Sequence, residues 1–420
     1  MTLPLGRHWK NVGWLLTVET FWGVGLALIS MVAILPVFLT HLGASNAVIG
    51  ALPVVWILST SFAGVFASHF TGRLPLRKPA VVLFHVVSAV PWFLLAAWFG
   101  LAKRPSPATD IAVFLIVWGL SWVIMGFTIP VWINFIGKVT RSELRARSFG
   151  TIFFFQTLMG VGGGWVGSRV LGSALPFPAN YAFGFLIAGL CMAVGSLFFF
   201  PIVEEAGVVS APGEAFRDVA RHAREILADR SGLRAYLWAL LLSTGSFLLI
   251  TYYPVFAEGR FGLRPRDSAI YTAICMGGQM LGSVLTGVIG DRWGYARVAV
   301  IAMGALTTGL ALAIWGGHPA FYYATAFALG VFITADRLAL YNLSMAFCPH
   351  DDNTAYLGII PALVAPMAAL IAGSSGSLID RFGFMPVAWV GFACAAIALY
   401  LVLFRLPEPR YSLAGRRPSP

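Results

Sequence analysis

The sequence predicts an all-α polytopic membrane protein: twelve transmembrane helices arranged as two pseudo-symmetric six-helix lobes. Three observations lead there. Of 420 residues, 59% are hydrophobic and only 11% charged, with a mean hydropathy of +0.82, where a soluble domain carries about 25% charged residues. Twelve apolar stretches follow one another, each near the roughly 20 residues that a helix needs to cross a bilayer. Landmarks in the first six stretches then return in the last six at nearly constant spacing.

The stretches run approximately over 12–40, 47–70, 80–101, 110–136, 148–172, 180–202, 234–258, 268–290, 298–316, 320–347, 355–378 and 384–404. The first begins near Val12. It is too long for a signal h-region and has no small-residue cleavage site, so it is expected to stay in the membrane. Most connections are short. The long one divides the chain into an N-terminal lobe (1–202), a cytoplasmic linker (203–233) and a C-terminal lobe (234–406), followed by a tail (407–420). In the linker, Phe216, Val219, Ala220, Ala223, Ile226 and Leu227 fall at helical spacing, with Arg217, Asp218, Arg221, Arg224 and Glu225 on the other face. That pattern reads as an amphipathic helix lying along the membrane surface. The tail, PEPRYSLAGRRPSP, is polar and rich in proline, and disorder is expected there.

The net charge of +11 does not mark a nucleic-acid binder, because no Lys/Arg run forms a basic patch with interleaved aromatics. The excess follows the positive-inside rule instead. With both termini cytoplasmic, 20 Lys/Arg residues fall inside and seven outside, leaving Arg337 in the membrane. Cys191, Cys275, Cys348 and Cys394 are scattered without a CxxC pair and read as small hydrophobes. No Walker A segment, His-rich metal cluster or Ser-His-acid arrangement is present, so neither an enzyme, a cofactor nor a metal is expected.

The internal repeat is visible in several pairs. Pro36-Val37-Phe38 returns as Pro254-Val255-Phe256, 218 positions on, while Asn134 and Gly150 return as Asn342 and Gly358, 208 positions on. After the eighth stretch the chain reads Gly287-Val-Ile-Gly-Asp291-Arg292-Trp-Gly294-Tyr-Ala-Arg297. Glycines there permit a tight turn and close packing, and a carboxylate beside a helix N-terminus can latch neighbouring helix ends. The first-half counterpart keeps Gly72 and Arg73 but has His69 at the acidic position and Phe70 beside it. His69 either makes that latch pH-sensitive or caps a helix end.

On this motif, the helix number and the 6+6 division, the chain resembles the major facilitator superfamily over nearly its whole length. The resemblance implies a motif that favours the outward-open state, and a central cavity lined by helices one, four, seven and ten. Drug antiporters of the family carry a Gly-Pro step on the fifth helix. Here that helix reads Gly160-Val-Gly-Gly-Gly-Trp165-Val-Gly167, with Trp165 in place of the proline.

Two places carry charge inside apolar stretches. Asp336 and Arg337 sit in the tenth, where each costs roughly 2.5–3.5 kcal/mol at a helix centre. Their first-half counterparts are Thr128 and Ile129, so the charges are absent from the repeat. They form either a substrate or proton site or a structural ion pair. Glu19 in the first stretch either carries a proton, away from water, or sits at headgroup level. Asn134 and Asn342 suit interhelical hydrogen bonds or the cavity. Gln156, Gln279, Tyr252 and Tyr253 are cavity candidates or packing residues, while His85 reads as a core histidine and Glu258 as a loop residue.

These observations, with the resemblance, lead to an expected secondary active transporter in the cytoplasmic (inner) membrane. It would work by alternating access on a small-molecule substrate with proton coupling, as a monomer in the lipid bilayer. The alternative is a non-transporting sensor or scaffold on the same fold.

Overall fold

The computed structural model describes residues 3–71, 74–102, 106–141, 144–205, 216–228, 232–347 and 354–409. The first expected stretch is two helices, α1 (Leu5–Leu28) and α2 (Ile34–His41), rather than one. Pro36 explains the restart: in the first turn of α2 its missing N–H is not required, whereas a continuous helix would lose a bond there. The second stretch follows α3 (Asn46–Ile49) as α4 (Ala51–Thr71). The third also divides, into α5 (Lys78–Val87) and α6 (Val90–Leu101), with Pro91 in the first turn of α6.

Next come α7 (Pro107–Val139), α8 (Arg145–Leu171) and α9 (Ala179–Leu197). The α7 start is set by Ser106, whose hydroxyl accepts the Thr109 N–H at 3.2 Å, with Pro107 behind it. The linker helix forms as α10 (Phe216–Ala228). The seventh stretch again divides, into α11 (Leu233–Ile250) and α12 (Tyr253–Phe261), before α13 (Pro265–Trp293), α14 (Tyr295–Trp315), α15 (Pro319–Phe347), α16 (Thr354–Phe382) and α17 (Phe384–Phe404). Among the described residues ten spans are long and apolar enough to cross a bilayer. With α1–α2 and α3–α4 they make the expected twelve.

The chain clusters into two compact units. The first comprises Met1–Gly213 and Pro254–Met276; the second comprises Glu214–Tyr253 and Gly277–Pro420. Residues 254–276, expected in the C-terminal lobe, thus cluster with the first unit. The contact is intimate. A Cβ on Gly164 of α8 would lie 2.7 Å from the Ala273 nitrogen of α13, and one on Gly160 would lie 3.1 Å from Met276.

In the first unit, one set of helix ends is tied by polar side chains. The Asn11 amide donates to the Val139 and Val203 carbonyls at 3.0 and 3.1 Å and accepts from the Val203 N–H. Glu204, its side chain 1% exposed, accepts the Arg77 and Lys78 backbone N–H groups at 2.9 and 2.7 Å and the Lys138 ammonium at 2.9 Å. A carboxylate on the orphan N–H groups of α5 is favoured by the helix dipole as well.

In the second unit, α14 packs on α15 and α11 on α17, with the Ser246 hydroxyl donating to the Gly391 carbonyl at 2.8 Å. The linker helix α10 packs on α16, with Ile226 buried and Leu227, Arg221 and Arg224 exposed. The start of the tail is not free. Glu408 accepts the Ala296 N–H at 2.9 Å at the start of α14, and Pro407 packs on Gly232. Gly294 stands there at φ +94° with Glu408 against it, so a side chain has neither the conformation nor the room. The remainder of the expected disordered tail lies outside the described residues.

Glu204→Ala would leave the Arg77 and Lys78 N–H groups at the start of α5 without their carboxylate, and Lys138 with only the Pro75 carbonyl. It is expected to cost about 3 kcal/mol, read as a lowered unfolding temperature in detergent, with Glu408→Ala costing less because it accepts one N–H.

Candidate functional site

Helix α1 places Glu19 on a face that meets α8. One turn later, Gly23 lies so close to the Gln156 carbonyl that a Cβ would overlap it. Gly163 does the same from the other helix, where a Cβ would stand 2.7 Å from the Val24 oxygen. This crossing of small residues delivers Gln156 to Glu19, and its amide donates to the Glu19 Oε2 at 2.5 Å. Glu19 is 3% exposed, buried among protein side chains.

Around the pair stand aromatic rings. Trp132 on α7 turns its indole N–H toward Glu19 without completing a hydrogen bond. Its ring meets Phe149 and Phe153 of α8 edge-on, at centroid distances of 6.1 and 6.0 Å, and these two stack on each other. Phe149, Phe153 and Gln156 recur at four and three residues, which puts them on one face of α8. Among the described residues no cation is paired with Glu19.

In the second unit, Asp336 and Arg337 part company as their 100° separation on a helix requires. Asp336 Oδ1 is shielded from solvent and has no hydrogen-bond partner among the described residues, while Arg337 is exposed, its charge within electrostatic reach of the carboxylate. The Tyr236 hydroxyl of α11, fully buried and likewise without a hydrogen-bond partner, feels Asp336 electrostatically.

The other sequence candidates fall mostly to packing. Asn342 donates back to its own helix at Leu338, 2.8 Å, and Asn134 is exposed, so neither provides the expected interhelical side-chain bond. Tyr252 and Tyr253 are buried at the α11–α12 joint, Tyr252 meeting the Ser375 hydroxyl at 3.3 Å. Gln279 is half-buried and its carbonyl accepts from Thr334. His85 is the expected core histidine, bonded to the Val81 carbonyl at 2.7 Å between Trp22 and Phe199.

In the motif, Asp291 accepts from the Tyr295 hydroxyl at 3.1 Å, and the carboxylate at the α14 N-terminus is that of Glu408. Arg292 lies over the Trp293 ring, Arg297 is exposed, and Gly287 has open space around it. His69 belongs to α4, and Gly72 and Arg73 lie outside the described residues.

Sequence reasoning missed three groups. Glu258 is a helical residue of α12, not a loop residue, and its Oε1 accepts from His41 Nε2 at 2.7 Å within the first unit. Trp132 carried no signal beyond its aromatic character. Glu204 and Glu408 did carry one: they lie 204 positions apart, each four residues after a phenylalanine that ends an apolar run.

No family model matches the chain, and no curated relative does. Solved structures do. A POT family transporter in complex with 5-aminolevulinic acid superposes with a TM-score of 0.73 at 13% identity, covering 94% of this chain and 96% of that one. A D-xylose–proton symporter gives 0.71 at 13% identity over 95% and 98%. A bacterial homologue of the human lysosomal transporter Spinster, inward-facing and unoccupied, gives 0.62 at 15% over the full length of both. The chain has the fold of these transporters, the major facilitator fold that its motif implied.

Gly163→Ala is expected to lower stability by about 1–3 kcal/mol by overpacking the α1–α8 crossing. Neighbouring Gly162, with open space around it, should tolerate alanine or gain a few tenths of a kcal/mol from helix propensity. Thermal unfolding of the two variants side by side checks the difference.

Proposed function

We propose that this chain is a secondary active transporter that moves a small molecule across the cytoplasmic membrane by alternating access, coupled to protons through Glu19. The observation that carries the reading is a carboxylate buried inside an apolar helix, donated to by Gln156 and paired with no cation among the described residues. Such a group requires either a proton or a cationic partner. A group that alternates between the two is what coupling needs. The shared fold supports the reading, one neighbour being a symporter of D-xylose and protons. Asp336, shielded and unpaired at Oδ1, is the second candidate for substrate or proton. The 20-to-7 distribution of Lys/Arg supports cytoplasmic termini. The working unit is a monomer without a cofactor, gated by the Gly287–Arg297 segment.

The test combines ligand binding with proton flux. A thermal-shift library of cations, anions, sugars, amino acids and lipids identifies ligands, which stabilise the fold by about 2.7 kcal/mol at 100 times their Kd. Proteoliposomes loaded with a pH-sensitive dye then report proton movement when each ligand is added. Ligand-driven proton flux is expected in the wild type and its loss in Glu19→Gln. Flux unchanged after neutralising both Glu19 and Asp336 sinks the proton assignment. A folded protein that responds to no ligand class in either assay sinks transport in favour of a sensor or scaffold.

A further inference from the structure

We infer that the substrate is an organic cation, bound by the Glu19 carboxylate against the aromatic wall of Trp132, Phe149 and Phe153. The inference rests on the transporter reading and names the chemistry of the same site.

Three observations converge. The first is the charge balance around Glu19. The groups aimed at it are an amide and an indole N–H, both neutral donors, and no cation pairs with it among the described residues. Donors of this kind hold a carboxylate in place without cancelling its charge. The second is Trp132 itself: its Nε1 is shielded from solvent and aimed at Glu19, which brings the indole, the ring that cations favour most, toward the carboxylate.

The third is the ring geometry. Trp132, Phe149 and Phe153 touch one another at 6.0–6.1 Å, but none is sealed into the core. Core aromatics of the same unit, such as Phe38, Phe114 and Trp118, are 0–1% exposed. On the α8 face that carries Gln156, the donor to Glu19, the Phe149 and Phe153 rings are not wholly covered and keep part of a negative π-face. A cation within about 6 Å of a ring centroid gains from that face, most of all when desolvated and most of all over tryptophan. An anion would be repelled by both features. A neutral polyol would need several hydrogen-bond partners, and the wall holds a single indole N–H.

Alternation follows from the same chemistry. Glu19 without substrate takes a proton, and the arriving cation displaces it, so one carboxylate serves both ions in turn.

The experiment measures equilibrium binding of radiolabelled tetramethylammonium, tetraethylammonium and tetraphenylphosphonium to the purified full chain in detergent. Tetraphenylborate serves as the competitor of equal shape and opposite charge. Saturable binding of at least one cation is expected, undisturbed by tetraphenylborate. Glu19→Gln should weaken it by roughly tenfold or more, and Trp132→Leu should weaken it more than Trp132→Phe. The tryptophan pair keeps the test decisive if Glu19→Gln fails to fold. Absence of binding for all three cations, equal displacement by the borate, or undiminished affinity in folded Glu19→Gln each overturns the inference. The two readings fail separately. Glu19-dependent proton flux driven by an anion or a neutral ligand removes the cation and leaves the transporter. Glu19-dependent cation binding with no flux of any kind removes transport and leaves the site.

Discussion

A carboxylate shielded from water must find donors, a cation or a proton, and this constraint sorts the acidic residues of the chain by role. Glu204 finds everything it needs: two backbone N–H groups at a helix start and the Lys138 ammonium. Glu408 finds the N–H of Ala296. Asp110, 3% exposed in the first turn of α7, takes the Trp98 indole N–H at 3.0 Å beside the same kind of favourable helix terminus. These groups sit at helix ends, where backbone donors stand free. Mid-helix, every N–H is already spent on the turn before it, so Glu19 and Asp336 have only side chains to turn to. Glu19 finds an amide and no cation, and Asp336 leaves an oxygen unpaired. Position along the helix therefore separates a structural acid from one left available for chemistry.

The glycines of α1 and α8 belong to the same account. A polar contact inside a membrane span is reliable only if the two backbones are held at fixed distance, since no hydrophobic drive pulls helices together in lipid. Gly23 and Gly163 fix that distance by leaving no gap at all. The Glu19–Gln156 bond is thus set by two residues that carry no chemistry. The same device recurs where Gly160 and Gly164 meet Met276 and Ala273. That seam also explains why residues 254–276 cluster with the first unit.

Much of the fold was legible in the sequence because lipid is a demanding solvent. Helix number and the linker helix follow from apolar length and charge placement, which the bilayer enforces segment by segment. The breaks within three spans were not legible as apolar stretches, since hydropathy does not register a lost hydrogen bond. Their signals were Pro36, Pro91 and Pro254, each in the first turn or so of the helix that restarts. Glu19, Gln156 and Asp336 were legible as polar residues in apolar surroundings. Trp132 was not, because an aromatic residue in a membrane helix is unremarkable until its neighbours are known. Nor was the engagement of Glu258 with His41, which joins residues 217 positions apart.

The repeat itself distinguishes scaffold from site. Glu204 and Glu408 occupy equivalent places after the sixth and twelfth spans and perform the same task at the starts of α5 and α14. A requirement of the architecture is met twice. In the registers that align the halves, however, Glu19 corresponds to Leu237 and Asp336 to Thr128. Thr128 is buried with its hydroxyl on the Ile124 carbonyl, and Leu237 packs in the core. The scaffold therefore closes without an acid at either place, and each half shows the other how to do so. A charge that costs several kcal/mol in lipid, and that the duplicate half does without, is one the shared scaffold does not require, which is what the proposed site needs.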